Sequence, residues 1–306
     1  MNNSELLFLY DAKMTNPNGN VDDENRPRMD YDTQRNLVSD VRLKRYIRDY
    51  LKELGKELYV SDVDGKTVNA EQRLEALFAR YPEKVDKKSW NADIERWMLE
   101  QLIDVRLFGA TMAVKGNPLI YTGPVQFSWG YSLNPVRLMD NTITSHFSSK
   151  GTQEQGTFGK DYRVVYSFLA FYGQVSGRRA EHTGMSEEDL QLLDEAMIRA
   201  IPLLSSRSKI GQAPRLYMRI EYKDNMTMLG DWREQLPALP GGLTQIDEVR
   251  LPADRIASRL EKALDRIEII HFWQDDALQW SLNETTGALD SLLSAAVREK
   301  IRYLQG

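Results

Sequence analysis

The sequence predicts an α+β fold, in which a sheet packs against helices and carries insertions. Three observations indicate this class. Apolar β-favouring segments recur from the N-terminus into the last third of the chain, amphipathic helical segments lie between them, and no internal repeat is visible. Of the 306 residues, 42% are hydrophobic and 28% are charged, so a sizeable core is available.

The N-terminal segment predicts a strand, a polar loop and a helix. Residues 6–14 form a buried strand pattern, and residues 16–36 hold two prolines and one glycine and are expected to be loop. Ser39 is a good N-cap, and Gly55 is a typical helix stop. One helical stripe lies between them: Val41, Tyr46, Ile47, Tyr50, Leu51 and Leu54.

Residues 55–103 are predicted to form a mostly helical insertion. Asp64 and Gly65 lie between short apolar runs and indicate a hairpin. A helix is predicted over 70–81, residues 82–88 are charged and expected to be exposed, and a second amphipathic helix is predicted from Ile94 to near Gly109.

The middle of the chain is β-like on either side of a long polar stretch. Residues 119–131 and 162–175 have strand character. Residues 138–161 are dominated by Asn, Thr, Ser, Gln and Gly, with little core-forming pattern. A loop of this length in a compact domain is usually functional or disordered.

The remaining residues alternate between helical and strand patterns. Helices are predicted from Ser186 to about residue 204, over 252–265 and over 284–304. Strands are predicted over 215–222 and 267–273, and residues 230–251 are expected to form a surface connection.

Composition excludes several function classes. The chain has no cysteine, so disulfides and thiolate metal sites are absent, and the three histidines are scattered. No apolar run reaches the length of a membrane span and no secretory leader pattern is visible, so a cytoplasmic protein is expected. Walker A, nucleophile-elbow and dinucleotide fingerprints are all missing from the sequence, so we expect neither an enzyme nor a bound cofactor.

Clustered cations between residues 13 and 48 indicate a phosphate-binding surface, although the net charge is −5. Arginine and lysine, together with amide and hydroxyl groups, suit the binding of phosphate and sugar. The candidates are Lys13, Asn18, Arg26, Arg28, Ser39, Arg42, Lys44, Arg45 and Arg48. The alternative is a solvated helix face with i,i+4 ion pairs such as Arg45 with Asp49.

Two later segments add candidates of the same kind. Phe147 and Phe158 lie near Lys150 and Lys160 in the long polar stretch, where aromatic rings could stack on bases or could anchor the loop. A basic turn between a helix and a strand adds further candidate phosphate ligands: Arg207, Lys209 and Arg215.

Carboxylates in the first loop permit a second interpretation. Clustered carboxylates can hold Mg²⁺ for phosphodiester cleavage, but such acids more often balance neighbouring arginines on a solvated loop. The residues concerned are Asp22, Asp23, Glu24, Asp30 and Asp32.

Several motifs together resemble the repeated backbone subunit of type I CRISPR surveillance complexes (Cascade), a member of the RAMP superfamily (Cas seven family). The order and number of the motifs carry the resemblance, which covers residues 6–222 and is closest to type I-B, with type I-C next. The motifs are Asn16-Pro17-Asn18-Gly19-Asn20, Asp23-Glu24-Asn25-Arg26-Pro27-Arg28, Ser39 to Arg48, Asp104 to Ala110, Gly123-Pro124-Val125-Gln126, Asn141-Thr142-Ile143-Thr144, Thr157-Phe158-Gly159-Lys160, Thr183 to Leu190 and Ser206-Arg207-Ser208-Lys209.

This resemblance implies a fold and a set of partners. The fold would be a modified RNA-recognition-motif (ferredoxin-like) palm spanning residues 1–306, with 138–161 as a thumb-like loop that reaches the neighbouring copy. Copies would polymerise along a CRISPR guide RNA (crRNA), contact other Cascade subunits and the paired target DNA strand, and work with a recruited helicase-nuclease. The type I branch is not known as a nuclease. The alternative is a metal-dependent endoribonuclease of the type III backbone kind, using the loop aspartates.

Overall fold

The computed structural model describes residues 1–81, 91–112, 119–144, 158–203 and 206–306. The helices in this part of the chain are α1 (Asp40–Glu53), α2 (Ala70–Phe78), α3 (Ala92–Gln101), α4 (Ile103–Phe108), α5 (Gly177–Thr183), α6 (Glu187–Leu203), α7 (Asp254–Ala263), α8 (Leu289–Leu292) and α9 (Ala295–Arg298), with 3-10 turns at Trp232–Gln235 and Ile246–Glu248. The strands are β1 (Ser4–Thr15), β2 (Gly19–Asn20), β3 (Arg26–Pro27), β4 (Met29–Asp30), β5 (Arg35–Val38), β6 (Gly109–Met112), β7 (Leu119–Thr122), β8 (Val125–Phe127), β9 (Gly130–Ser132), β10 (Leu138–Thr144), β11 (Phe158–Val175), β12 (Gln212–Tyr222), β13 (Arg250–Pro252), β14 (Ile267–Gln274), β15 (Gln279–Leu282), β16 (Thr285–Gly287) and β17 (Ile301–Tyr303).

The main sheet has β1 at its centre. The strand order is β17-β14-β12-β1-β11-β9-β5-β4, and β8 and β10 also pair with β11. β1 is antiparallel to both β11 and β12, and β10 is antiparallel to β11. The strands predicted over 6–14, 162–175, 215–222 and 267–273 are therefore confirmed, each within a few residues of its expected ends.

Both faces of β1 are covered, which accounts for its unbroken apolar sequence. Leu6 and Phe8 pack on the face that carries α1 and α6. Leu7 and Leu9 pack on the opposite face against the C-terminal third of the chain. A strand buried on both faces favours a continuous apolar run over strict alternation. The α+β class predicted from the sequence is confirmed.

Helix α1 begins where the sequence predicts. The Ser39 hydroxyl accepts a hydrogen bond from the Arg42 amide, and Gly55, just beyond the helix, has a positive φ of 74°. The predicted apolar stripe is correct at its centre but wrong at both ends, because Val41 is 65% exposed and Leu54 is 45% exposed. Val41 points away from the face that packs on α6 and the sheet.

The range predicted as a helical insertion contains α2 and α3, which share a small core of their own. Leu77, Met98 and Leu102 are buried there, together with Val105 from α4. The single helix predicted to end near Gly109 is two helices, because the backbone turns at Leu102. The Asp64-Gly65 hairpin is reduced to one bridge between Val63 and Lys66. Residues 82–88, expected to be exposed, lie outside the described residues.

The range 138–161 is not a loop at its two ends. β10 pairs with the first half of β11 in antiparallel register, from Leu138 opposite Val164 to Thr144 opposite Phe158. The polar side chains led to the prediction of a loop. They are compatible with strands here, because a two-stranded arm that projects from the main sheet has little core to contact. Residues 145–157 lie outside the described part of the chain.

Two predictions for the C-terminal third are wrong. Residues 230–251 are not only a surface connection, since Trp232 and Leu251 are fully buried against the second face of the main sheet. Residues 284–304 do not form one helix but β16, α8, α9 and β17. β17 lies parallel to β14, and backbone hydrogen bonds at this sheet edge replace the helical ones that the local pattern favours.

Glu5 links β1 to the C-terminal third. Glu5 is fully buried, and no cationic side chain of the described residues pairs with its carboxylate. Five donors surround the carboxylate: the hydroxyls of Tyr172 and Tyr222, the amides of Leu229 and Gly230, and the indole of Trp232. This buried acid therefore has a structural role.

Candidate nucleic-acid interface

Three segments meet at the N-terminus of α1. The loop after β1 joins the turn before β12, because the Asn16 amide donates to the Ser208 carbonyl at 2.9 Å. The same loop joins the helix, because Asn18 Oδ1 accepts from the Ser39 amide at 2.9 Å and from the Ser39 hydroxyl at 3.0 Å. We call this place the basic corner and define it by Asn18, Arg28, Ser39, Arg42 and Lys209.

Arg42 brings an uncompensated positive charge to the basic corner. Its guanidinium carbon lies 3.9 Å from the centre of the Tyr46 ring, one helical turn later. Its Nε is buried and has no hydrogen-bond partner, and no carboxylate of the described residues lies within ion-pair distance. The first turn of a helix also disfavours a cation. An anionic ligand beside this half-buried side chain would neutralise its charge.

Lys209 lies beside Arg42 and is also without a carboxylate partner in the described part of the chain. Its ammonium group donates to the Asn16 and Pro17 carbonyls, the latter at 3.3 Å. Burial, and to a smaller extent the positive charge of Arg42, lower the pKa of Lys209 to about 7. Lys209 is therefore only partly charged at neutral pH, and an anion beside it would favour its protonated form.

Arg28 extends the basic corner along β5. Its amide donates to the Asn18 carbonyl at 3.0 Å, and its carbonyl accepts from the Leu37 amide at 2.8 Å. The Arg28 Nε is buried without a hydrogen-bond partner, and no ion pair neutralises it among the described residues. Arg28 and Arg42 thus supply two cations around one polar loop, and Lys209 becomes a third when it is protonated.

The other predicted cations of α1 are neutralised within the fold. They form ion pairs with carboxylates: Lys44 with Asp40 at 3.2 Å, Arg45 with Asp49 at 2.7 Å, and Arg48 with Asp104 at 2.9 Å. The pair of Arg45 is the one that the alternative interpretation anticipated. Lys44 is 9% exposed and also donates to Gln126, so it is a poor phosphate ligand.

The predicted cations outside α1 differ in how strongly they are held. Arg215 is bound by two carboxylates, Asp11 at 3.1 Å and Asp275 at 2.6 Å, and is largely buried. Three others form weaker contacts near the surface: Arg26 with Asp23, Lys160 with Glu24, and Arg207 with Asp161. Exposed pairs of this kind contribute little and can exchange for another anion.

The remaining predicted residues lie in different environments. Lys13 is exposed at the end of β1, and its backbone amide donates to Gly211 in the turn that carries Lys209. Phe147 and Lys150 lie outside the described residues. Phe158 begins β11, and only its backbone position is described.

The loop carboxylates do not assemble a metal site. Among the described residues, no group of three or more histidine or acidic side chains is arranged to hold a metal ion. Asp30 accepts hydrogen bonds from the Thr33 hydroxyl and the Asp32 amide, which lower its pKa. Hydrogen bonds from Tyr162 and Lys160 lower the pKa of Glu24. These acids organise the loop and balance its cations.

Sequence reasoning missed the aromatic partners of the cations. Tyr46 was assigned only to the apolar stripe, and Trp129, next to Arg28, was not selected at all. An arginine four residues before a tyrosine on a helix is a local signal that could have been used. The proximity of Trp129 depends on the pairing of β5 with β9, which the sequence does not reveal.

None of the described helices combines the length and apolarity that a membrane crossing needs.

Comparisons with known proteins agree with one another. The family model of the CRISPR-associated protein Cas7 matches residues 2–233. The CRISPR-associated protein Cas7 of Haloferax volcanii is 33% identical over 96% of this chain and 93% of its own length.

Solved structures share the fold at low sequence identity. A chain of a CRISPR RNA-guided surveillance complex in a pre-nicking state matches with a TM-score of 0.56 and 14% identity, over 99% of this chain and 96% of that one. A chain of another CRISPR RNA-guided surveillance complex matches with a TM-score of 0.53 and 16% identity, over 95% and 92% of the two chains. The family match and the curated relative together show that the chain belongs to the CRISPR-associated Cas7 family.

Proposed function

We propose that the chain is a crRNA-binding backbone subunit of a type I Cascade complex, most similar to type I-B. Copies polymerise along the guide, contact other Cascade subunits and support target DNA recognition in antiviral defence, in the cytoplasm. The solved structures that share its fold come from RNA-guided surveillance complexes, which supports this assembly. Cleavage of the target belongs to a separate helicase-nuclease that the complex recruits.

The observation that carries the proposal is the uncompensated charge of the basic corner. Arg28 and Arg42 have buried Nε atoms without partners, and Lys209 is held beside Arg42. Phosphate oxygens are strong acceptors of hydrogen bonds from guanidinium and ammonium groups. Contacts of this kind hold the backbone without reading sequence, as a protein that accepts different guides requires.

The topology supports an RNA-recognition-motif palm. In chain order, β1, α1, β10, β11, α6 and β12 follow the pattern βαββαβ, and their order in the sheet is β12-β1-β11-β10. We assign these elements to the palm. The face of the palm sheet opposite α1 and α6 is covered by the C-terminal third of the chain. We therefore infer that RNA follows the edge of the sheet at the basic corner. We propose that the range 138–161, whose described ends belong to the β10–β11 arm, is the thumb that reaches the next copy.

We propose that the chain is not an enzyme. The alternative, a metal-dependent endoribonuclease of the type III kind, requires loop aspartates that can hold a metal. Asp30 is instead engaged by Thr33 and Asp32, and Asp23 lies near Arg26 and Tyr31. No observation on the described residues favours this alternative.

The proposal is tested by the RNA that co-purifies with the full chain. We expect the wild-type chain to carry small RNA, and a double variant with Arg28→Gln and Arg42→Gln to lose most of it. Arg45→Gln is the matched control, because Arg45 lies on the same helix but is paired with Asp49. Equal RNA yield and length from the double variant and the control would contradict the proposal.

A further inference from the structure

A large aromatic side chain is exposed next to the basic corner. Trp129 lies between β8 and β9 and is 48% exposed. β5 and β9 are antiparallel, with Val38 opposite Gly130, so Trp129 lies beside the strand end that leads to Ser39. The indole itself lies near Arg28, which belongs to the basic corner.

The backbone around Trp129 is held firmly. The Trp129 carbonyl accepts a hydrogen bond from Arg233 Nη1 at 2.7 Å, and the Ser128 amide donates to the Tyr172 carbonyl at 3.0 Å. Arg233 is itself 8% exposed and forms an ion pair with Asp231. An exposed indole on a fixed backbone loses little conformational freedom when a ligand stacks on it.

One arginine without a carboxylate partner in the described part of the chain lies beside the exposed ring. The Arg28 guanidinium carbon lies 6.0 Å from the centre of the Trp129 ring. Arg35 contacts a different ring, 5.3 Å from the centre of Tyr131, and lies opposite Asp30 in the β4–β5 pair. An exposed indole beside an uncompensated guanidinium group suits an anionic ligand that also carries a flat apolar ring.

We propose that Trp129 is a stacking platform for one unstacked nucleobase of single-stranded RNA, with Arg28 neutralising the adjoining phosphate. This inference rests on the proposed function and adds a base contact to its phosphate contacts. Stacking tolerates every base, because each base has a flat π-face, so the platform is compatible with guides of different sequence. A protein partner would be expected to cover Trp129 with an apolar side chain and would not need the unpaired Arg28.

The test compares Trp129→Ala and Trp129→Phe with the wild-type chain, using oligoadenylate and oligouridylate of equal length. We expect Trp129→Ala to lower RNA affinity by about 5- to 100-fold, as the loss of one base–aromatic stack does. Trp129→Phe should keep most of the affinity but lose part of the RNA-induced fluorescence quenching. The salt dependence of binding should be unchanged in both variants, because neither removes a phosphate contact.

Three outcomes would overturn the platform. Trp129→Ala with wild-type affinity would refute it, as would equal quenching in the wild-type chain and Trp129→Phe. Loss of self-assembly by Trp129→Ala with unchanged RNA affinity would make this surface a protein contact. A failure of the proposed function is distinguishable, because the wild-type chain would then bind neither RNA. Circular dichroism of Trp129→Ala checks that the variant is folded, and Trp129→Phe tests the platform if it is not.

Discussion

Arg42→Gln removes a positive charge that no carboxylate of the described residues neutralises. The side chain of Arg42 stacks on Tyr46, its Nε lacks a partner, and Lys209 lies close enough to be affected by its charge. Glutamine keeps the length and polarity of the side chain on the helix but cannot neutralise a phosphate. Because no carboxylate of the described residues depends on Arg42, the substitution should leave the fold intact.

The size of the effect follows from the contacts. A charge-assisted hydrogen bond contributes about 1.5–3 kcal/mol, which corresponds to a loss of about 10- to 150-fold in affinity. Each phosphate contact on a single strand contributes about 0.7 to the slope of log affinity against log salt. We therefore expect Arg42→Gln to bind single-stranded RNA at least about tenfold more weakly, with a slope smaller by about 0.7.

Fluorescence anisotropy of a labelled RNA over a range of salt concentrations measures both quantities. Arg45→Gln is the control, because it removes one charge from the same helix while breaking an exposed pair with Asp49. Its affinity should fall by less than about threefold. Equal losses in the two variants would refute the reasoning, since net helix charge and not the basic corner would then govern binding.

The remaining predictions concern protonation, stability and catalysis. RNA phosphate should raise the pKa of Lys209 from about 7, so the complex takes up a proton and RNA affinity falls as pH rises through 7. Lys209→Arg should bind RNA without this pH dependence. A variant with the pH profile of the wild-type chain would contradict this prediction. Glu5→Gln should lower the free energy of unfolding by about 3 kcal/mol in urea titrations, because the glutamine amide leaves buried donors poorly matched. The control Glu234→Gln, at an exposed residue, should change the free energy of unfolding little. The full chain with Mg²⁺ should not cleave guide-complementary RNA, and cleavage that Asp22→Ala or Asp30→Ala abolishes would refute this.

The elements with strong local signals could be predicted from the sequence. β1 has an apolar run, and α1 has its serine cap. The C-terminal segment 284–304 could not be predicted, because β17 forms by pairing with β14 and this contact is not encoded locally. Leu251 was assigned to a surface connection for the same reason, since its burial depends on the far face of the sheet.

The candidate site was predicted in position but not in detail. The sequence identified the loop, the helix start and the basic turn, because each carries clustered cations. It did not show which cations remain unpaired. The partner of Arg48 is Asp104, which is distant in sequence, and the two partners of Arg215 are distant as well. The selection of Arg28, Arg42 and Lys209 therefore required the three-dimensional structure.

The central claim is that the basic corner holds the backbone of RNA without reading its sequence. The most direct measurement is the affinity of the wild-type chain, and of the double variant with Arg28→Gln and Arg42→Gln, for two unrelated single-stranded RNAs of equal length. We expect the wild-type chain to bind both with nearly equal affinity, and the double variant to lose affinity for both by the same factor. A double variant that binds like the wild-type chain, or one that loses affinity for only one of the RNAs, would contradict the account.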